Sequence, residues 1–265
     1  MEIKELLNIV KKLAPNLSCQ DFSDPGFVSA TPSAETHSIV KLGVCVDPTE
    51  KNIENAAALG IEVLISYHPW YGEARELVEA RRIQIWPLHE AWDHTDRGVL
   101  NSLAKEIGLT GLYPKDELLI GHVETGFRDL IENCQRFLGQ NILSFSGDLK
   151  QEVHKVAMWA GPGFLPQYKK FWDASLSENC DTFLSSELTI SALRYSRARR
   201  LKLIDLGHSL LAKPGMLNVA EILKKEAQDC LVQFLDDLYA CTYYTNCSFA
   251  GQFTETEDIF FGAEG

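Results

Sequence analysis

The sequence predicts a duplicated α/β fold: two lobes, each with a strand–helix–strand unit, facing each other across a polar cleft. Three observations carry that prediction. Short apolar runs such as Val63–Ile65, Ile83–Leu88 and Leu201–Leu206 alternate with stretches whose apolar residues recur at helical spacing. The runs stop at polar or ring-bearing residues, namely Ser66-Tyr67-His68, His89-Glu90, Ser185-Ser186-Glu187 and Gly207-His208. His68 to His89 spans 21 residues, and Glu187 to His208 spans 21 as well, with one helix and one strand expected inside each interval. A unit of that length joins parallel neighbours, so both of its polar tips emerge at one edge of the sheet.

The elements follow in order. Ile3, Leu6, Leu7, Val10 and Leu13 define an amphipathic helix over 2–13, which Pro15 ends. Residues 16–37, rich in Ser, Pro, Thr and Asp, read as an irregular loop. Ser38–Val46 is a strand. Asp47-Pro48-Thr49 then opens a helix, with Asp47 as N-cap and Pro48 at the first helical position, and Gly60 closes it. Ile61–Tyr67 is a near-continuous apolar run, the mark of a strand buried on both faces, and Pro69 prevents its extension. A charged helix over 73–82, a strand over Ile83–Leu88 and a helix over Arg97–Ile107 complete the first unit.

The second half repeats the plan. Val153–Ala160 is a strand and Gly161-Pro162-Gly163 a turn, followed by a helix over Phe164–Leu176 and a strand over Thr182–Leu184. Ile190–Arg200 is a helix and Leu201–Leu206 a strand. Pro214-Gly215 lead into a helix over Met216–Ala227, and Leu231–Leu235 is a last strand. The first lobe is therefore expected over 1–122 and the second over 123–215, with the helix and strand of 216–265 packing back onto the first.

Composition excludes several classes. With 25 basic against 37 acidic residues the net charge is −12, which disfavours a broad nucleic-acid or anionic-membrane surface. The local run Arg194, Arg197, Arg199 and Arg200 reads as a solvated helix face. No apolar run approaches the ~20 residues of a membrane span. The seven cysteines are an odd number with no Cys-x-x-Cys pair, which fits a reduced, cytoplasmic protein, with Cys45 and Cys134 in the core.

The strand ends gather the chemistry-bearing side chains His68, His89, Asp93, Glu187 and His208. Imidazole and carboxylate together suit a borderline divalent metal, or general acid–base work, or hydrogen-bonded caps on strand ends. Gly161-Pro162-Gly163 lacks the phosphate-binding fingerprints and reads as a tight turn. His37, His94, His122 and His154 read as surface residues, and Trp70, Tyr71, Trp86 and Trp92 as packing or a pocket wall.

In order and spacing, these segments resemble the NIF-three-like family, also called dinuclear metal centre proteins, whose bacterial members carry the label GTP cyclohydrolase I type 2 homologue. The resemblance takes in Ile3-Lys4-Glu5-Leu6-Leu7, Val44-Cys45-Val46-Asp47-Pro48-Thr49, Ile65-Ser66-Tyr67-His68-Pro69, and His89 to Asp93 with Gly98-Val99-Leu100-Asn101. Gly121-His122-Val123, Lys155-Val156-Ala157, Ser186-Glu187-Leu188 and Asp205-Leu206-Gly207-His208 extend it over nearly the whole chain. It implies a two-lobed α/β subunit, a toroidal homohexamer and paired metal ions in the cleft. Carried over by position, His68, Asp93 and His208 match family ligands, with His89 and Glu187 as weaker candidates. Two positions depart, because Tyr67 stands where the family has a histidine and Ala212 where it has the glutamate shared by both ions.

Close cations need bridging negative charge, so the expectation is at most one divalent ion (zinc, iron, manganese or nickel), or none. The functional expectation is a member with a degraded metal site that binds a small molecule or a protein partner. The alternative is a metal-dependent hydrolase acting on a nucleotide-like substrate.

Overall fold

The computed structural model describes residues 1–15, 38–140 and 143–239. The loop expected over 16–37, the tail beyond Tyr239, His37, Cys19, Cys241 and Cys247 lie outside the described residues.

Helix α1 (Ile3–Leu13) is held at its start by a capping box between Glu2 and Glu5, and it buries Ile3, Leu6 and Val10. Strand β1 (Lys41–Cys45) leads to α2 (Glu50–Leu59). The N-cap of α2 is Thr49, whose hydroxyl accepts the Asn52 N–H, and not Asp47 as expected; Asp47 is two residues too early and its carboxylate is committed elsewhere. Gly60 closes α2 at φ +70°, a conformation that favours glycine. Strand β2 (Val63–Ser66), α3 (Arg75–Arg81), β3 (Gln84–Pro87), the single turn α4 (Glu90–Asp93) and α5 (Val99–Glu106) follow.

A stretch without an expected element then forms β4 (Thr110–Lys115), β5 (Leu118–Gly126), α6 (Phe127–Leu138) and the short β6 (Ser144–Ser146). After β7 (Glu152–Met158), helix α7 (Lys169–Ser177) begins five residues later than Phe164, behind a short 3-10 turn at Pro166–Tyr168. Strand β8 (Thr182–Ser185), α8 (Ile190–Arg199) and β9 (Lys202–Asp205) match their expected places.

Helix α9 (His208–Glu226) runs unbroken through Pro214, where the sequence suggested a new start. Proline removes one helical N–H, but Leu211, Ala212, Met216 and Val219 are buried along the same face, and that packing holds the helix together. Gly215 lets α9 approach α5 closely, since a Cβ there would lie 2.9 Å from a Val99 methyl. Strand β10 (Leu231–Phe234) ends the described elements.

Two sheets result. The first has the order β10-β1-β2-β3, all parallel, so the C-terminal strand lies beside β1. The second has the order β4-β5-β7-β8-β9-β6, with β7, β8 and β9 parallel and the other pairings antiparallel. Positions 122 and 215, expected as lobe boundaries, fall inside β5 and α9.

Alternation along each strand sorts side chains into layers. Leu42, Val44, Val63 and Ile65 of the first sheet join Val156, Met158, Leu184 and Ile204 of the second in one core, filled by α1, α5, α6 and α9. The opposite faces use the neighbouring positions. Cys45 and Leu64 pack with Ile53 of α2 and Val78 of α3. Ala157, Phe183 and Leu203 pack with Phe171 and Trp172 of α7 and Ala192 of α8. The order is helix, sheet, helix, sheet, helix, and the two sheets meet through the middle helices. Each fully buried Leu, Ile or Val in that middle layer stabilises by roughly 1.5–3 kcal/mol before conformational entropy is counted.

Candidate functional site

Pairing between β1 and β2 continues past their formal ends. The Tyr67 and His68 amides both donate to the Val46 carbonyl, and the Ser66 hydroxyl donates to the His68 carbonyl at 2.7 Å. Successive residues point to opposite faces of a strand, so Tyr67 joins the middle core while His68 faces the neighbouring strand tip. There the His68 Nδ1 lies 2.6 Å from Asp47 Oδ1. Asp47 is 1% exposed, its second oxygen accepts the Tyr239 N–H at 2.8 Å, and its carbonyl accepts from Asn52.

Tyr67 reaches inward to Asp93, donating its hydroxyl to Oδ1 at 2.8 Å, with the two residues 2% and 4% exposed. Burial raises the Asp93 carboxyl to about 8; the Tyr67 hydrogen bond pulls it down and the charge of Glu90 pushes it further up. The Tyr67 phenol is held well above its ordinary value, by burial first and then by the carboxylate it faces.

His89 follows β3, with its amide donating to the Tyr67 carbonyl. It adopts φ +40°, ψ −137°, a conformation that costs a non-glycine residue about 1–3 kcal/mol and clusters at functional sites. Glu187, past the end of β8, also has positive φ, at +65°. Its Oε1 lies 2.9 Å from the Nδ1 of His208, the first residue of α9. Asp205 anchors this corner by accepting the amides of Leu188 and Gly207.

The rings converge. His68 and His208 stand 4.9 Å apart, centre to centre, at 80°, although they belong to different sheets. His68 and His89 are 5.9 Å apart, and Tyr67 lies 4.8 Å from His68 and 5.6 Å from His89. The structure therefore gathers His68, His89 and His208, sets Glu187 behind His208, and joins Asp93 to the group through Tyr67. Ala212, four residues along α9 from His208, is buried in the middle core and offers no donor atom. Sequence reasoning missed Asp47 as a site residue. Its signal was present, because Asp47 precedes His68 by 21 residues as Glu187 precedes His208.

Among the described residues no group of three or more His, Cys, Asp or Glu is placed to hold a metal ion. The Tyr67 hydroxyl donates to Asp93, and carboxylates lie against the Nδ1 atoms of His68 and His208. One donor stands ready, since the His68 Nε2 is buried without a hydrogen-bond partner.

The remaining candidates have ordinary places. His94, His122 and His154 are exposed, and His154 pairs with Glu124. The amide of Gly163 donates to the Ser185 hydroxyl, while Ser185 and Ser186 both donate to the Gly161 carbonyl, so the Gly161–Gly163 turn spends its polar groups internally. Trp70, Trp86 and Trp92 are buried, whereas Tyr71 is exposed. Among the described residues no helix is long and apolar enough to cross a membrane.

Two relatives carry the name GTP cyclohydrolase 1 type 2 homolog. The Clostridium perfringens protein is 23% identical over 259 residues, covering 89% of this chain and 95% of its own. The Nostoc protein is 26% identical over 212 residues, covering 71% and 79%. Among solved structures, reduced HcgD from Methanocaldococcus jannaschii matches with a TM-score of 0.74 at 20% identity, over 89% of this chain and 98% of that one. A Bacillus cereus protein related to NIF3 matches with a TM-score of 0.75 at 14% identity, over 92% and 99%. At those identities the structures speak for the fold alone. The sequence model described as Duf34/NIF3 (NGG1p interacting factor 3) matches residues 1–237, and the chain belongs to that family.

Proposed function

We propose that this chain is a binding member of its family, taking a small molecule or a protein partner at the histidine cluster, with a metal centre reduced to at most one divalent ion. The observation that carries this reading is the hydrogen bond from Tyr67 to Asp93 at 2.8 Å. A neutral hydroxyl takes up the carboxylate that a cation would need, and buried Ala212 supplies no replacement charge. The subunit is proposed to act as a homo-oligomer, a ring of six by family resemblance, in the cytoplasm.

The test is metal analysis of protein purified without chelator, together with melting curves in added zinc, iron, manganese and nickel. One ion per chain or fewer supports the reading. Two tightly held ions per chain, or nucleotide turnover abolished by His68→Ala, overturns it.

A second reading, a metal-dependent hydrolase of a nucleotide-like substrate, is favoured by the unpartnered, buried His68 Nε2 and by the names of the relatives. It requires metal-stimulated turnover. Absence of turnover with guanine and adenine nucleotides in all four metals rejects it.

A further inference from the structure

We infer that Asp47 and Glu187 are equivalent positioning residues, one in each half of the chain, that fix the tautomers of His68 and His208 and turn their Nε2 atoms into the shared site. Strand register brings each acid to its histidine. Cys45 of β1 pairs with Ser66 of β2, so two residues beyond each strand end Asp47 arrives beside His68. Ser185 of β8 pairs with Asp205 of β9, which sets Glu187 beside Gly207, one residue short of His208. The extra methylene of glutamate over aspartate spans that offset. Acid and histidine are 21 residues apart in both halves, and the contacts are 2.6 and 2.9 Å. The duplicated spacing in the sequence is thus an acid-to-histidine interval, registered one strand earlier in the first half than the pairing of His68 with His89 suggests.

An ionised carboxylate only accepts, so each Nδ1 must carry its proton. When the ring is neutral, Nε2 then holds a lone pair, the same arrangement that carboxylates impose on histidines facing a ligand. Asp47 is itself immobilised by the Tyr239 amide on its other oxygen. The two rings, carried by different sheets, stand 4.9 Å apart centre to centre, and the Nε2 of His68 is buried without a hydrogen-bond partner. The matching ligand is a cation or a group bearing N–H or O–H donors. This ligand class rests on the binding reading above; the tautomers do not.

The test is long-range proton–nitrogen correlation NMR on the full, uniformly nitrogen-15-labelled chain without metal, at a pH where both rings are neutral. The expected spectrum shows the Nδ1–H form for His68 and His208 in the wild type and in Asp47→Asn and Glu187→Gln, whose amide oxygens still accept. Asp47→Ala should move His68 alone toward Nε2–H, and Glu187→Ala should move His208 alone. Glu187 and His208 are partly exposed, so Glu187→Ala is a safe variant if Asp47→Ala fails to fold. Nε2–H forms in the wild type, or an unchanged His208 tautomer in Glu187→Ala, overturn the inference. Neither result alters the metal count, so this failure is distinguishable from failure of the binding reading.

Discussion

Tyr67 and Asp93 are joined by a 2.8 Å hydrogen bond between two buried side chains, one past the end of β2 and the other in α4. The bond ties the strand tip to the turn that follows β3, so it serves stability as well as the site. Tyr67→Phe keeps the ring in the core and removes only the donor. A buried carboxyl left without its partner costs about 1–3 kcal/mol, and urea denaturation should show a loss of that size. An unchanged midpoint would mean that Asp93 finds another donor, and would remove the structural role assigned to Tyr67.

Thr49 holds two things at once. Its hydroxyl accepts the Asn52 amide as the N-cap of α2 and donates to the Asp237 carboxylate at 2.6 Å. Asn52 adds a bond from its side chain to the Asp237 carbonyl, so the start of α2 and the segment after β10 are clasped together. Thr49→Ala should destabilise by about 1–2 kcal/mol, the usual scale for a lost N-cap. Hydrogen exchange should also rise at Tyr239, whose amide sits on Asp47 in the same clasp. Faster exchange in α2 with Tyr239 unaffected would separate the cap from the clasp.

The sequence makes the buried parallel strands legible through their apolar runs, and the polar tips that follow them mark the candidate site. His68, His89 and His208 were readable for that reason. Tyr67 and Ala212 stood out only through family resemblance. Asp47 was hidden by a competing signal: Asp-Pro-Thr is a good N-cap pattern, and Thr49 fills that role two residues later. Helix α9 escaped because Pro214 predicts a break that burial of Ala212, Met216 and Val219 overrides. The hairpin β4–β5 has its turn at Asp116, with φ +53°, and its outer strand is largely exposed, so no apolar run announced it. The single core linking both sheets has no local signature, because it depends on which face of each strand the middle helices cover.

Thiol reactivity should report on that burial. Cys45 and Cys134 are completely buried and Cys180 nearly so, while Cys230 is half-buried and donates to the Ile39 carbonyl. Burial raises all four thiols, Cys45 well above its ordinary value and Cys134 and Cys180 to about 12. Only the thiolate is alkylated, and raised values leave little of it at neutral pH. Maleimide labelling of the native chain followed by peptide mass mapping should therefore find Cys230 modified first among these four, faster as pH rises. The other three should wait for unfolding. Native labelling of Cys45 as fast as Cys230 would reveal opening of β1, and with it of the site.

Gly98 sets the path of the chain out of the site. It is the N-cap of α5, at ordinary φ −72°, so conformational freedom is not the reason for glycine here. Space is. A Cβ at Gly98 would lie 1.8 Å from the Trp92 carbonyl oxygen and 2.9 Å from that of Asp93. Both contacts are backbone, so no side-chain rotation relieves them, and α4 would have to move away from α5. Overpacking of this kind costs typically 1–3 kcal/mol and more where backbone must shift. Gly98→Ala should therefore reach the upper end of that range in urea denaturation. Because α4 carries Asp93, the movement should also lengthen the bond to Tyr67, which the Tyr67 ultraviolet absorption or fluorescence would register. Full stability in Gly98→Ala would show that α4 is free to slide, and that the site does not depend on its close contact with α5.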